Sequence, residues 1–113
     1  MGVCYDAKVA WGLLIPGENV EDGLDLEDVY ILPEGFTYSM GGDHMDGENI
    51  AYVLHPPHAS QSVLNTMRDS GFGVCAMDDI YRPDEKDVLA LRDFCRTNDV
   101  SPVIGWFAIS SVG

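Results

Sequence analysis

The sequence predicts an α+β fold: a mixed or mainly antiparallel sheet of four to six strands with two helices packed on one face. Three observations predict it. From Val3 to Ile15 the odd positions Val3, Tyr5, Ala7, Val9, Trp11, Leu13 and Ile15 are all apolar, with Asp6 and Lys8 among the even ones; this period of two is that of a long strand with one face on a core. Several shorter β-prone apolar runs follow, those ending at Leu32, Met40 and His55 closed by Pro or Gly. Helical spacing occurs twice in the second half of the chain, each time with end signals. The 113 residues, 46% of them apolar, suit a single globular domain over 1–113, too short for two cores and too apolar for the disordered class.

Taken in order, the first strand holds a Gly12 that marks a bulge or bend, and Pro16 and Gly17 stop it. The segment Glu18 to Asp28 follows with six acidic residues and no basic one, which faces it to solvent. Val29 to Leu32 fits a short strand or the end of a helical turn begun near Leu24, and its periodicity does not decide. Pro33, Glu34 and Gly35 make a turn, Phe36, Tyr38 and Met40 alternate as a second strand, and Gly41 to Gly47 reads as a loop. Ile50 to His55 is a strand ended by Pro56 and Pro57, which cannot donate to a ladder. Ala59, Val63 and Met67 have helical spacing, with Ser60 as N-cap and Gly71 at the C-terminus. Phe72 to Met77 returns to the sheet. Pro83 at a first helical position, then Asp84, Glu85 and Asp87, open a second helix with the stripe Val88, Leu91, Phe94 and Cys95, and with Arg92 and Arg96 towards its C-terminal end. Val103 to Ile109 is apolar on both faces, as in a central strand. The two helical crossovers also permit parallel pairs.

Nineteen carboxylates against six Lys and Arg give a formal charge of −13. Affinity for a phosphate backbone comes mainly from Lys and Arg releasing counterions, so direct nucleic-acid binding is disfavoured, as are anionic membranes. The field favours cations, basic proteins, or a partner's surface that normally holds nucleic acid. Residues 1–50 carry eleven carboxylates against Lys8 alone. Solubility is one explanation of that excess. The other is an acidic patch of Glu18, Glu21, Asp22, Asp25, Glu27 and Asp28, joined by Asp43, Asp46 and Glu48, that docks on a basic groove and imitates duplex charge. Cys4, Cys75 and Cys95 form neither a CxxC knuckle nor an even disulfide set. With no basic leader at the N-terminus and no apolar run long enough to span a bilayer, the expected compartment is the cytoplasm.

A structural subunit or homodimer joined through a sheet edge is one further reading, and metal chemistry is the main alternative. His44, His55 and His58 with Asp43 and Asp46 offer mixed nitrogen and oxygen ligands for a metal-binding protein or metal-dependent enzyme, although Pro56 and Pro57 hold the pair His55 and His58 extended. Neither acidic stretch matches an EF-hand loop. A Cys–His nucleophile pair using Cys4 or Cys75 competes with an ordinary role for these cysteines in the core. Asp78 and Asp79 at a strand end resemble a carboxylate pair, but neighbours on a strand point to opposite faces. No P-loop, GxGxxG, GxSxG or HExxH is present, so neither an enzyme nor a cofactor is expected. Tyr30, Phe36, Tyr38, Met40 and Met45 lie near the acidic half; such residues build either an inner strand face or a docking surface.

The opening Met1-Gly2-Val3-Cys4-Tyr5-Asp6-Ala7, the small size, the acidic half and the ending Ser110-Ser111-Val112-Gly113 resemble small acidic accessory proteins encoded by bacteriophages. Among these are anti-defence inhibitors, including anti-CRISPR and DNA-mimic anti-restriction proteins. The resemblance implies a protein-binding inhibitor of nucleic-acid-handling machinery in the host cytoplasm. It rests on no motif and assigns no functional residue.

Overall fold

The computed structural model describes residues 5–21, 23–41, 51–62 and 76–112, with the backbone alone at 5–7 and 110–112. In chain order the elements are β1 (Tyr5–Pro16), α1 (Leu26–Val29), β2 (Thr37–Gly41), β3 (Ala51–His55), β4 (Ser60–Ser62), α2 (Met77–Ile80), α3 (Glu85–Asn98) and β5 (Ile104–Val112). The long alternating segment becomes the central strand. Leu13 of β1 stands opposite Ile104 of β5 and also opposite Leu54 of β3, so β5 and β3 occupy its two edges. Beyond β3 lies β2, with Thr37 opposite His55. β4 resumes the β3 edge, with Ala10 opposite Ser60. All pairings among the described residues are antiparallel.

β3 and β4 are two halves of one interrupted strand. Between Leu54 and Ser60 the chain advances six residues while β1 moves only from Leu13 to Ala10. The surplus forms a single turn of 3-10 helix at Pro57–Ala59. Facing this break is Gly12, where a Cβ would stand 2.1 Å from the Leu54 carbonyl oxygen and 3.0 Å from the His55 Cβ. Only a residue without a side chain fits there; β1 itself runs through Gly12 without the expected bulge, its register with β5 unbroken, and the interruption lies on the facing strand.

On one face of the sheet, Trp11, Leu13 and Ile15 cluster with Tyr52 and Leu54, and the cluster is completed by Leu26 of α1 and Leu91, Phe94 and Cys95 of α3. This is the face on which helices were expected. The opposite face is also apolar: Ala10, Val53 and Ile109 are buried together, with Leu14 and Phe107 packed against them. The alternation of β1 therefore captures only one of two buried faces, because Ala10, Gly12 and Leu14 are small or apolar at the even positions.

α3 realises the expected stripe, Val88 half-buried and Leu91, Phe94 and Cys95 buried. It starts at Glu85 with Asp84 as N-cap, so Pro83 precedes the cap instead of opening the helix. Of segment 29–32, Val29 ends the helical turn Leu26–Val29 and Tyr30 is its extended C-cap, while 31–32 belong to neither a helix nor a strand. The turn at Pro33 closes through Phe36 N–H to Pro33 O at 3.1 Å, with Gly35 at φ 81°, the positive φ that a type II turn requires at its third residue. Further expectations are corrected. Ser60 does not cap a helix but begins β4, because β1 offers a ladder that outweighs local helical spacing; 63–67 lie outside the described residues. Met77 does not end a strand but begins α2. Of the loop expected from Gly41 to Gly47, Gly41 instead ends β2; 42–47, like 72–75, lie outside the described residues.

Candidate functional site

The acidic segment is pinned to the core at two points and exposed between them. Val20 and Leu26 are buried, whereas Glu18, Glu21, Asp25, Glu27 and Asp28 are all exposed. Apolar anchors spaced by charged residues leave the carboxylates no direction but outward. Asp28 also has local work, accepting the Asp25 N–H at 2.8 Å across the first turn of α1 in a capping box. Asp22, Asp43, Asp46 and Glu48 lie outside the described residues.

Asp25, Glu27 and Asp28 lie near Tyr38, whose ring meets that of Tyr52 edge-on at 5.8 Å. Burial pushes the Tyr38 phenol up, and the nearby charges of Asp25, Glu27 and Asp28 add to it. Burial followed by Asp25 does the same to Tyr52. Tyr30, Phe36, Tyr38 and Met40 pack against the core and form its inner wall; Met45 lies outside the described residues. In the acidic half the exposed apolar residues are others, Leu24 at 41%, Val29 at 39% and Ile31 at 93% exposure, while Met77, Leu89 and Val103 are exposed elsewhere among the described residues. Tyr30 and Leu32 pack against the core, whereas Val29 and Ile31 between them are exposed. Val29 and Ile31, with Phe94 and Ala90 of α3, border a groove of about 630 Å³.

Of the histidines, His55 is 2% exposed and both of its ring nitrogens are engaged, Nδ1 at 2.6 Å from the Pro56 carbonyl and Nε2 at 2.7 Å from Ser39 Oγ. A carbonyl only accepts, so Nδ1 carries the proton, and in the neutral ring Nε2 then accepts from the Ser39 hydroxyl. Burial holds the imidazole below its usual range, opposed by the Pro56 hydrogen bond and reinforced by the charge of Lys8. The connectivity is that of a serine with its base, but Ser39 is itself only 6% exposed and neither residue borders a groove described here. Ser39 carries no signal of its own in the sequence; it reaches His55 diagonally across the β2–β3 ladder, where Thr37 is directly opposite. His58 is exposed on the 3-10 turn, and His44 lies outside the described residues. Among the described residues no group of three or more His, Cys, Asp or Glu is placed to hold a metal ion. Cys4 and Cys75 lie outside them.

The C-terminal half of α3 borders a second groove, of about 800 Å³. Its floor includes Trp11, Val88, Cys95, Val100 and Ile104, and its rim Arg92, Arg96 and Asp99. Burial pushes the Cys95 thiol up, so it is an apolar wall and not a thiolate. Near the floor, Tyr81 stacks on Trp11 with ring centroids 5.9 Å apart and donates its hydroxyl to Asp87. Burial first, then that carboxylate, pushes the phenol up to about 12, which keeps Tyr81 a donor. Asp78 and Asp79 are exposed in the first turn of α2 and not at a strand end. Among the described residues no helix is long and apolar enough to cross a membrane. No protein-family model, curated protein or solved structure matches this chain.

Proposed function

We propose that this chain is a non-enzymatic binding protein, an inhibitor whose acidic surface engages a basic, nucleic-acid-handling partner in the cytoplasm and takes the place of the nucleic acid there. The observation that carries the reading is the interleaving of exposed Leu24, Val29 and Ile31 with exposed Glu21, Asp25, Glu27 and Asp28. Carboxylates alone serve solubility. An isoleucine left 93% exposed among them serves burial against something else, since interfaces place an apolar anchor inside a charged rim. The carboxylates steer and orient a basic partner, and the apolar residues hold it.

The test is capture from a host lysate at low salt, stepwise salt elution, and competition by duplex DNA. One nucleic-acid-binding enzyme is expected, displaced by DNA and eluted as exposed charges become screened over about 10 Å at 0.1 M salt. Glu21→Gln, Asp25→Asn and Glu27→Gln together, or Ile31→Ser alone, should each weaken it by about tenfold, equivalent to about 1.4 kcal/mol. Retention that ignores both salt and these substitutions would remove the reading.

A further inference from the structure

We infer that the groove between the C-terminal half of α3 and the sheet is a binding site for a small organic monoanion with a flat apolar body, an aromatic carboxylate. The inference begins with an arginine that the fold does not otherwise account for. In a chain of nineteen carboxylates and six Lys and Arg, Arg92 has no carboxylate partner among the described residues, where the single ion pair joins Arg96 to Asp93 at 2.5 Å. The helix dipole rewards a cation in the last turn, and the basic residue there is Arg96. Arg92 stands one turn earlier, at i and i+4 from Arg96, where like charges on a helix repel. What the two side chains share is the rim of the groove.

The floor sets the rest of the ligand. Trp11, Val88, Cys95, Val100 and Ile104 offer an apolar surface, made rigid because Trp11 is itself buried in the core cluster, and the raised Cys95 thiol adds no charge. A volume of about 800 Å³ lies within the range of small-molecule sites. The charge balance selects one negative charge: Asp99 shares the rim with the two guanidinium groups, and Arg96 already faces Asp93, so little more than Arg92 is free. A planar guanidinium takes a carboxylate through two parallel hydrogen bonds. Polyanions are disfavoured by the net charge of −13.

The probe is 2-naphthoate, with 2-naphthalenemethanol as its neutral counterpart, read by titration calorimetry and by the Trp11 indole N–H resonance, assigned with a Trp106→Phe variant. Saturable naphthoate binding that shifts the Trp11 resonance is expected, with the alcohol at least about tenfold weaker, since loss of a charge-assisted pair removes the stronger class of hydrogen bond. Arg92→Gln should weaken naphthoate by about tenfold and leave the alcohol unchanged, while Arg92→Lys should restore part of the loss. Circular dichroism of each variant separates a lost site from a lost fold. The variant combining Glu21→Gln, Asp25→Asn and Glu27→Gln should bind naphthoate like the wild type, so the outcome does not depend on the proposed partner. Equal affinity for acid and alcohol, an unaffected Arg92→Gln variant, or no saturable binding at millimolar probe would each overturn the assignment.

Discussion

At the scale of single residues, the most constrained position is the buried pair of His55 and Ser39. Desolvation is the first cause of the lowered His55 value, with Lys8 adding to it against the Pro56 hydrogen bond. The folded state therefore resists a proton that the unfolded chain accepts at about 6.5. Stability from this group is fully present above 6.5 and is lost as pH falls below it towards the folded value, with a slope of at most about 1.4 kcal/mol per pH unit for one proton. Urea unfolding between pH 7.5 and 5 should show this slope in the wild type. The His55→Asn variant should lack it, although less stable throughout. Carboxylates titrate in both proteins, so the difference between the two curves isolates the histidine. Identical curves would mean that His55 is not the titrating group. The same residue shows a limit of sequence reading. His55 was legible as a strand residue before two prolines and as a metal-ligand candidate, but its partner sits on another strand and follows from ladder register alone.

Elements were legible where one periodicity dominated. β1 was visible as unbroken alternation, α3 as a stripe with acidic residues at its start, and β2 and β3 as short apolar runs closed by turns; β5 was visible as a strand, but among the described residues it pairs with β1 alone and is not the central strand expected from its two apolar faces. β4 was not: Ala59, Val63 and Met67 carry helical spacing, yet Ser60 to Ser62 pair with β1, a tertiary fact. On the candidate surface the exposed carboxylates of residues 18–28 were legible from charge density, but Ile31 was not singled out. Arg92 was read as a dipole complement although it lies outside the last turn. The same helix end carries a testable defect. Asp99 is the C-cap of α3 at φ 55°, a left-handed conformation that favours glycine, and its carboxylate sits at the negative end of the helix dipole. The Cys95 carbonyl accepts from the Asp99 N–H and from Val100 N–H at 2.9 Å, bonds that any residue in this conformation can make. Asp99→Gly should therefore raise stability by about 0.5–1 kcal/mol, the usual gain from an improved cap, measured as a higher urea midpoint at unchanged slope. A lower midpoint would show that the aspartate side chain contributes more at the rim of the groove than its conformation costs.

For the molecule as a whole, the decisive quantity is its formal charge of −13. Among the described residues the one ion pair, Arg96 with Asp93, is exposed on both sides, so salt has little attraction to screen within that part of the chain. Repulsion among the carboxylates is what remains, and it opposes the compact state. Raising NaCl from about 0.02 to 0.5 M shortens the screening length from roughly 20 Å to a few ångströms. Stability should then rise by about 1–2 kcal/mol, several degrees in Tm for a domain of this size. Partner binding should respond to the same change in the opposite direction, because there the carboxylates face positive charge and screening removes attraction. Measured on one preparation, thermal stability rising with salt while affinity falls is the pattern that an acidic docking surface produces. If stability fell with salt instead, the carboxylates would have to be compensated inside the chain, and less charge would be left to recruit a basic partner.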